Sequence, residues 1–261
     1  MIGLFLGDTD FSEIILNKII KLKKKYFIID FSKNNKFKKD INSNRISIGK
    51  FGKIINLIKE KKSKKVLFAG KIAKPKFSTL RLDLKGIYYM PSVIKAAKSG
   101  DAAIIKAIIK ILEKEKIKVI SSNFFNPELS LKAKNYTKLK PNSKEIKSIK
   151  KGVLYFNQLN SLDHVQALIV KDEKVIATEG NQGTKKMLSK LKKGSAGILI
   201  KLPKKKQDLR MDLPTIGLNT LKDCKKYGLK GIVLKSKKNI FLDKEKCISF
   251  ANKNKIFIKI I

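Results

Sequence analysis

Short apolar runs alternate with amphipathic stretches of helical period through the first half of this chain, and that alternation constrains the fold more than any other feature. Residues 2–6, 26–29, 65–69 and 119–120 read as strands. Residues 12–23, 53–61, 92–98 and 101–114 read as helices, the last with Asp101 as N-cap after Gly100. Strand and helix in turn predict a parallel sheet with helices on its faces. A polar, turn-rich stretch at 133–143, with Asn135, Pro141 and Asn142, marks a division. Beyond it the patterning predicts a helix at 144–159, strands at 166–170, 175–178 and 196–202, and a helix at 220–227. Strands at 231–234, 240–242 and 256–260 then enclose a helix at 243–252. The expected fold is α/β, with a parallel-sheet domain over residues 1–138 and a distinct α/β domain over 139–261.

Charge narrows the partners. In 261 residues there are 61 Lys and Arg against 21 Asp and Glu, a net charge of +40, while 43% of residues are hydrophobic. So large an apolar fraction supports real cores and excludes a disordered basic tail. The charge is spread along the whole chain, and Arg occurs only at Arg45, Arg81 and Arg210. A bias toward lysine therefore accounts for most of the +40, and the three arginines become leads, because Lys cannot reproduce their planar fork. Aromatic residues do not interleave with the basic runs and no base-reading motif is present, so nucleic acid is not the expected partner. Cys224 and Cys247 lack metal-site spacing and read as reduced thiols. No apolar run is long enough to span a bilayer, so any membrane role is peripheral.

The richest segment chemically is Gln207-Asp208-Leu209-Arg210-Met211-Asp212-Leu213-Pro214. Polar and apolar residues alternate strictly from Asp208 to Leu213. An extended chain would gather Asp208, Arg210 and Asp212 on one face, two carboxylates and a guanidinium able to hold a divalent cation and a phosphate together. A surface strand held by Asp–Arg pairs fits the same pattern. Three glycine loops are candidates for anion binding: Gly3 to Gly7 with Asp8, Gly49 to Gly52 with Lys53, and Ala69-Gly70-Lys71. His164, the one histidine, has no second ligand nearby and reads as structural rather than as a general base. Nucleophile-elbow, Walker A and HExxH motifs are missing, which favours attack by metal-activated water.

Read in order, several segments resemble the LpxI-type UDP-2,3-diacylglucosamine diphosphatases. They include Ile2-Gly3-Leu4, Gly49 with Gly52-Lys53, Phe68-Ala69-Gly70-Lys71, Arg81 with Asp83-Leu84, Gly100-Asp101, Pro127-Glu128-Leu129, Asp163 with Gln166, Gly183-Thr184, Gln207 to Gly217, Gly228-Leu229 and Leu242-Asp243. The resemblance implies a Rossmann-like N-terminal domain, a separate C-terminal α/β domain and a ligand site between them. It also implies hydrolysis to UMP and 2,3-diacylglucosamine 1-phosphate with Mg²⁺ or Mn²⁺. The implied roles are Asp208, Asp212 and Arg210 in catalysis, and Asp208, Asp212 and Glu179 at the metal. Substrate would meet Gly7, Gly70, Lys71, Arg81, Gln166, Gly183, Thr184 and Gln207. A cytoplasmic enzyme peripheral to the inner membrane is implied, meeting a nucleotide lipid at an anionic surface, with a homodimer left open. Where the family reads Glu-Gly-Thr-Asp, Gln182 and Lys185 flank Gly183-Thr184, and Val165 stands where glycine is expected. Those differences keep a second reading beside the first, a homologue that binds the nucleotide lipid without cleaving it.

Overall fold

The structure is a computed structural model that describes residues 1–73, 75–159, 165–180, 182–192, 194–204, 208–211 and 213–261. It forms two units, Met1–Asn126 and Pro127–Ile261. The division thus falls ahead of the polar stretch at 133–143, because the short strand Lys134–Asn135 pairs with the last strand of the second unit.

The first unit contains β1 (Ile2–Leu6), α1 (Asp10–Lys21), β2 (Tyr26–Asp30), β3 (Ser43–Asn44), α2 (Phe51–Glu60) and β4 (Lys65–Ala69). It is completed by α3 (Leu84–Ala97), α4 (Asp101–Lys114) and β5 (Lys118–Ile120). The sheet order is β3-β2-β1-β4-β5 with every pair parallel, a doubly wound order that reverses between β1 and β4. All five residues of β1 are buried, as a strand covered on both faces requires.

The helix before β5 departs from expectation in two places. Gly100, at φ 104°, is the N-cap of α4, and Asp101 is instead the first helical residue, where its charge still favours the N-terminal dipole. Helix α3 begins at Leu84 and carries Pro91 inside it, although Pro91 can accept no place in the i→i−4 ladder. What starts α3 early is Asp83. Its carboxylate accepts the N–H groups of Gly86 in α3 (2.8 Å) and of Gly52 and Lys53 in α2 (3.1 and 3.0 Å), so one side chain closes two helix ends. Burial alone would raise its pKa, but those three amides and the Lys50 charge hold it below the usual carboxylate range.

Glu115, at the C-terminal end of α4, is the second tie. It accepts from Lys59 of α2 (2.9 Å), Tyr89 of α3 (2.9 Å) and Lys85 of α3. Burial opposes its ionised form, yet the hydrogen bonds and the Lys85 charge bring its pKa down to about 2.

The second unit contains β6 (Lys134–Asn135), α5 (Ser143–Gln158), β7 (Ala167–Lys171), β8 (Lys174–Thr178), α6 (Gly183–Ser189) and β9 (Ile198–Lys201). It continues with β10 (Thr215–Ile216), α7 (Leu218–Lys226), β11 (Gly231–Leu234), β12 (Ile240–Phe241), α8 (Lys244–Lys253) and β13 (Phe257–Ile260). Six strands form a mixed sheet in the order β6-β13-β11-β9-β7-β8; β9, β11 and β13 are parallel, while β7 runs antiparallel to both neighbours. A small parallel pair, β10 and β12, stands apart. Helix α5 opens with a capping box between Asn142 and Glu145. One core cluster packs α6, α7 and α8 around Ile169, Leu199, Ile232 and Ile258, and a second packs α5 against Leu168, Val170, Ile200 and Val233. The free thiols of Cys224 and Cys247 are buried, and burial raises both pKa values, that of Cys247 to about 11.

Glu115 makes stability depend on acid. Its folded pKa lies below the ordinary value of 4.5, so its contribution is complete above that value and fades as pH falls toward 2. The wild type should lose about 2 kcal/mol more stability across that window than Glu115→Gln does, a figure reduced from the full shift because Lys59 and Lys85 are partly in water. Chemical denaturation at a series of pH values measures the difference; parallel curves would refute it. Asp83→Ala should cost about 1–2 kcal/mol at neutral pH by removing the cap of α3 and leaving two α2 amides without their acceptor.

Candidate functional site

Several residues singled out by sequence lie at strand ends: Gly7 and Gly70 follow the parallel strands β1 and β4, Gln166 precedes β7, and Glu179 follows β8. In the second unit three strand ends meet. Lys201 closes β9 and stands opposite Ala167, the first residue of β7. Glu179 follows β8 directly, and its N–H donates to the Ala167 carbonyl (2.9 Å). Gln166 is joined to both neighbours: its carbonyl accepts the Leu202 N–H (3.1 Å) and its N–H donates to Glu179 Oε2 (3.0 Å).

Glu179 is buried, and its other oxygen is also engaged. Thr184 Oγ1 donates to Glu179 Oε1 (2.7 Å) and accepts from Lys201 Nζ (3.0 Å), so ammonium, hydroxyl and carboxylate form one chain of hydrogen bonds. Gly183 permits this placement: at φ 82° it turns the chain out of β8 into α6, a conformation that costs a side chain dearly. A carboxylate therefore stands beside Gly183-Thr184 despite Gln182 and Lys185, both of which are exposed. Sequence reasoning passed over Lys201 and helix α6. The signal for Lys201 was a cation ending an otherwise apolar buried strand, Ile198-Leu199-Ile200, immediately before Leu202-Pro203.

After β9 the described part of the Gln207 to Gly217 segment is residues 208–211 and 213–217. Lys201 Nζ also approaches the Thr215 carbonyl (3.4 Å), and Pro214 and Thr215 are fixed against β12. The expected extended run from Asp208 is not formed. Residues 209–211 make a turn closed by the Met211 N–H on the Asp208 carbonyl (3.2 Å). The cause is local: Asp208 Oδ1 accepts the backbone N–H of Arg210 (3.0 Å), a side-chain turn that outcompetes the strand. The Arg210 side chain then folds onto the same carboxylate in a fork, Nε to Oδ1 at 3.0 Å and Nη2 to Oδ2 at 2.8 Å. Asp212 and Gln207, like Asp163 and His164, lie outside the described residues. Among the described residues no three Asp, Glu, His or Cys groups come together as a divalent cation would require.

In the first unit Gly7 and Gly70-Lys71 interlock the ends of β1 and β4. A Cβ on Gly7 would lie 2.3 Å from the Lys71 carbonyl oxygen, and one on Gly70, at φ 83°, would lie 2.1 Å from Ser12 Oγ. The amides of Gly7 and Asp8 are spent on the Ala69 and Lys71 carbonyls (both 2.9 Å), so this loop does not offer them to a phosphate. Gly52 and Lys53 likewise give theirs to Asp83. Two of the three expected anion loops are satisfied from within. Lys71 and Arg81 keep exposed side chains.

The comparisons with known proteins agree with this anatomy. The family model described as the LpxI N-terminal domain matches residues 1–129, and that described as the LpxI C-terminal domain matches residues 132–259. The chain belongs to the LpxI family. A relative in Caulobacter vibrioides, named UDP-2,3-diacylglucosamine pyrophosphatase LpxI, is 31% identical over 223 residues, which cover 82% of this chain and 80% of the relative. Among the described residues no helix is long and apolar enough to cross a membrane.

A groove of about 480 Å³ opens between β8 and α6 of this LpxI-family chain, floored by Ile176, Ala177 and Met187 with Lys186 and Lys190 beside it. Glu179, Thr184 and Lys201 do not line it, so it adjoins the hydrogen-bonded cluster rather than containing it. Thr184→Val should leave the buried Glu179 oxygen without its hydroxyl donor, at about 1–3 kcal/mol. Thermal unfolding should show a lower Tm for this variant and recovery in Thr184→Ser; equal Tm values would mean the chain of bonds holds nothing.

Proposed function

We propose that this protein hydrolyses the diphosphate of UDP-2,3-diacylglucosamine, giving UMP and 2,3-diacylglucosamine 1-phosphate. What carries the reading is the likeness, across both family domains and most of the chain, to a relative named for that substrate. The arrangement at the end of β9 supports it chemically. Hydrolysis of a phosphoric anhydride needs the diphosphate charge neutralised and a carboxylate held in fixed orientation near the attacking water. Arg210 fixes Asp208 in both position and rotamer through its fork. Lys201 ends β9 in an ammonium and orients the Thr184 hydroxyl toward Glu179, which in turn holds the Gln166 amide. In the first unit this reading gives phosphate to two exposed cations, Lys71 next to the close contact of Gly7 and Gly70, and Arg81, whose backbone lies against Gly49.

In this reading Asp208 and Asp212 hold Mg²⁺ or Mn²⁺, which when bound supplies charge neutralisation and a more acidic water. Glu179 has both oxygens committed to Gln166 and Thr184, and its task is to position Thr184. The substrate is a nucleotide lipid, and the protein works at the membrane surface without spanning it.

The test is release of UMP from the substrate with Mn²⁺ or Mg²⁺ supplied. Asp208→Asn and Asp212→Asn should each lower turnover about a hundredfold or more. Arg210→Lys, which keeps charge and loses the fork, should lower it about tenfold. Near-normal turnover in both Asp variants would sink the metal assignment. Intact nucleotide lipid bound to the wild type with no UMP formed would establish a binder in place of a hydrolase.

A further inference from the structure

Helix α3 is apolar on both sides. Gly86, Met90 and Val93 form its buried face. On the opposite side Leu84, Ile87 and Tyr88 are 86%, 60% and 73% exposed, with Pro91 and Ile94 continuing the stripe. Spacings of three and four place these residues along one line of the helix. A contiguous exposed apolar patch on a folded protein marks an interaction surface.

Its electrical surroundings select the partner. Arg81 precedes the helix, Lys95 lies on its last turn and Lys98 caps it, all exposed. Two acids next to the helix are withdrawn: Asp83 is turned onto the amides of Gly52, Lys53 and Gly86, and Glu115 onto Lys59, Lys85 and Tyr89. The exposed acids of the neighbouring α4 are Asp101 and Glu113, so the charges that α3 and its flanks set beside the stripe are mainly cationic. A second copy of a +40 chain would bring the same sign to it, whereas a bilayer with anionic headgroups brings the opposite sign together with an apolar layer. Tyr88, with an apolar ring and a polar tip, suits the depth of the headgroups.

We infer that α3 docks this protein on anionic membrane, Leu84, Ile87 and Tyr88 entering the boundary of headgroups and acyl chains while Arg81, Lys95 and Lys98 meet lipid phosphates. Docking gives the hydrolase reading its route to a diacylated substrate. It is nonetheless measured without substrate, so either idea can fail alone.

The chain has no Trp, so Ile87→Trp places a single fluorophore on the stripe. With vesicles of phosphatidylglycerol and phosphatidylcholine its emission should shift to the blue and be quenched by brominated acyl chains; phosphatidylcholine alone should do neither. Leu84→Asp with Tyr88→Asp should lower partitioning onto the anionic vesicles about tenfold or more, with circular dichroism and Tm unchanged because both positions are exposed. Four results would each overturn the inference: no co-sedimentation with anionic vesicles, co-sedimentation with the emission of Trp in water, equal partitioning of the double variant, or blue emission from a dimer before vesicles are added.

Discussion

Convergence of N–H donors on a few carboxylates is the interaction on which the rest of this molecule depends. Acids are scarce, 21 against 61 cations, and those that lie inside are used several times over. Asp83 closes two helices, Glu115 joins three, and the fully buried Asp30 accepts Ser32 N and Oγ (2.7 and 2.6 Å) and the Phe37 N–H while Arg45 sits against it. The bonds from Asp83 to α2 and from Glu115 to α2 and α3 link segments far apart in sequence, and removing any of the three carboxylates strands several donors at once.

Much of the fold was legible because its signal is periodic. Strands at 2–6, 65–69 and 231–234 were readable residue for residue, since a parallel strand buried on both faces is an unbroken apolar run between polar turns. What escaped was decided by side chains acting on backbone. Pro91 hid the first half of α3, whose start is set by a capping carboxylate. Helix α6 has seven residues and begins at a glycine with positive φ, too short to show a period. At Asp208 the alternation was real, but one bond from its carboxylate to the Arg210 N–H was worth more than a strand with no neighbour to pair with. The hydrogen-bonded cluster at the end of β9 was legible where residue type is distinctive, at Gln166, Glu179 and Thr184, and illegible at Lys201, one cation among dozens.

Both units place informative residues at strand ends, after the parallel β1, β4 and β9 and where the antiparallel β7 and β8 meet β9, and there side chains can vary with least disturbance to the core. In the first unit that edge is closed by its own carbonyls and carboxylates, which leaves exposed side chains rather than loop amides to meet a ligand. In the second the edge carries a hydrogen-bonded relay of opposite charges around Thr184. Two of the glycine loops thus have their amides engaged within the protein, and on the proposed function phosphate recognition at them would fall to side chains.

The three arginines show what a lysine-rich background can and cannot absorb. Arg210 makes the planar two-pronged contact that Lys cannot, and there the identity of the residue is explained by geometry. Arg45 reaches Asp30 and the Ser32 carbonyl through a single nitrogen, a task that an ammonium could share. Arg81 touches no described acceptor, is exposed, and stands between Lys71 and the apolar stripe of α3. Among the described residues nothing calls for a guanidinium at that position. On the proposed function it is a phosphate's pair of oxygens, which the planar fork matches and an ammonium does not, that would account for Arg in place of Lys.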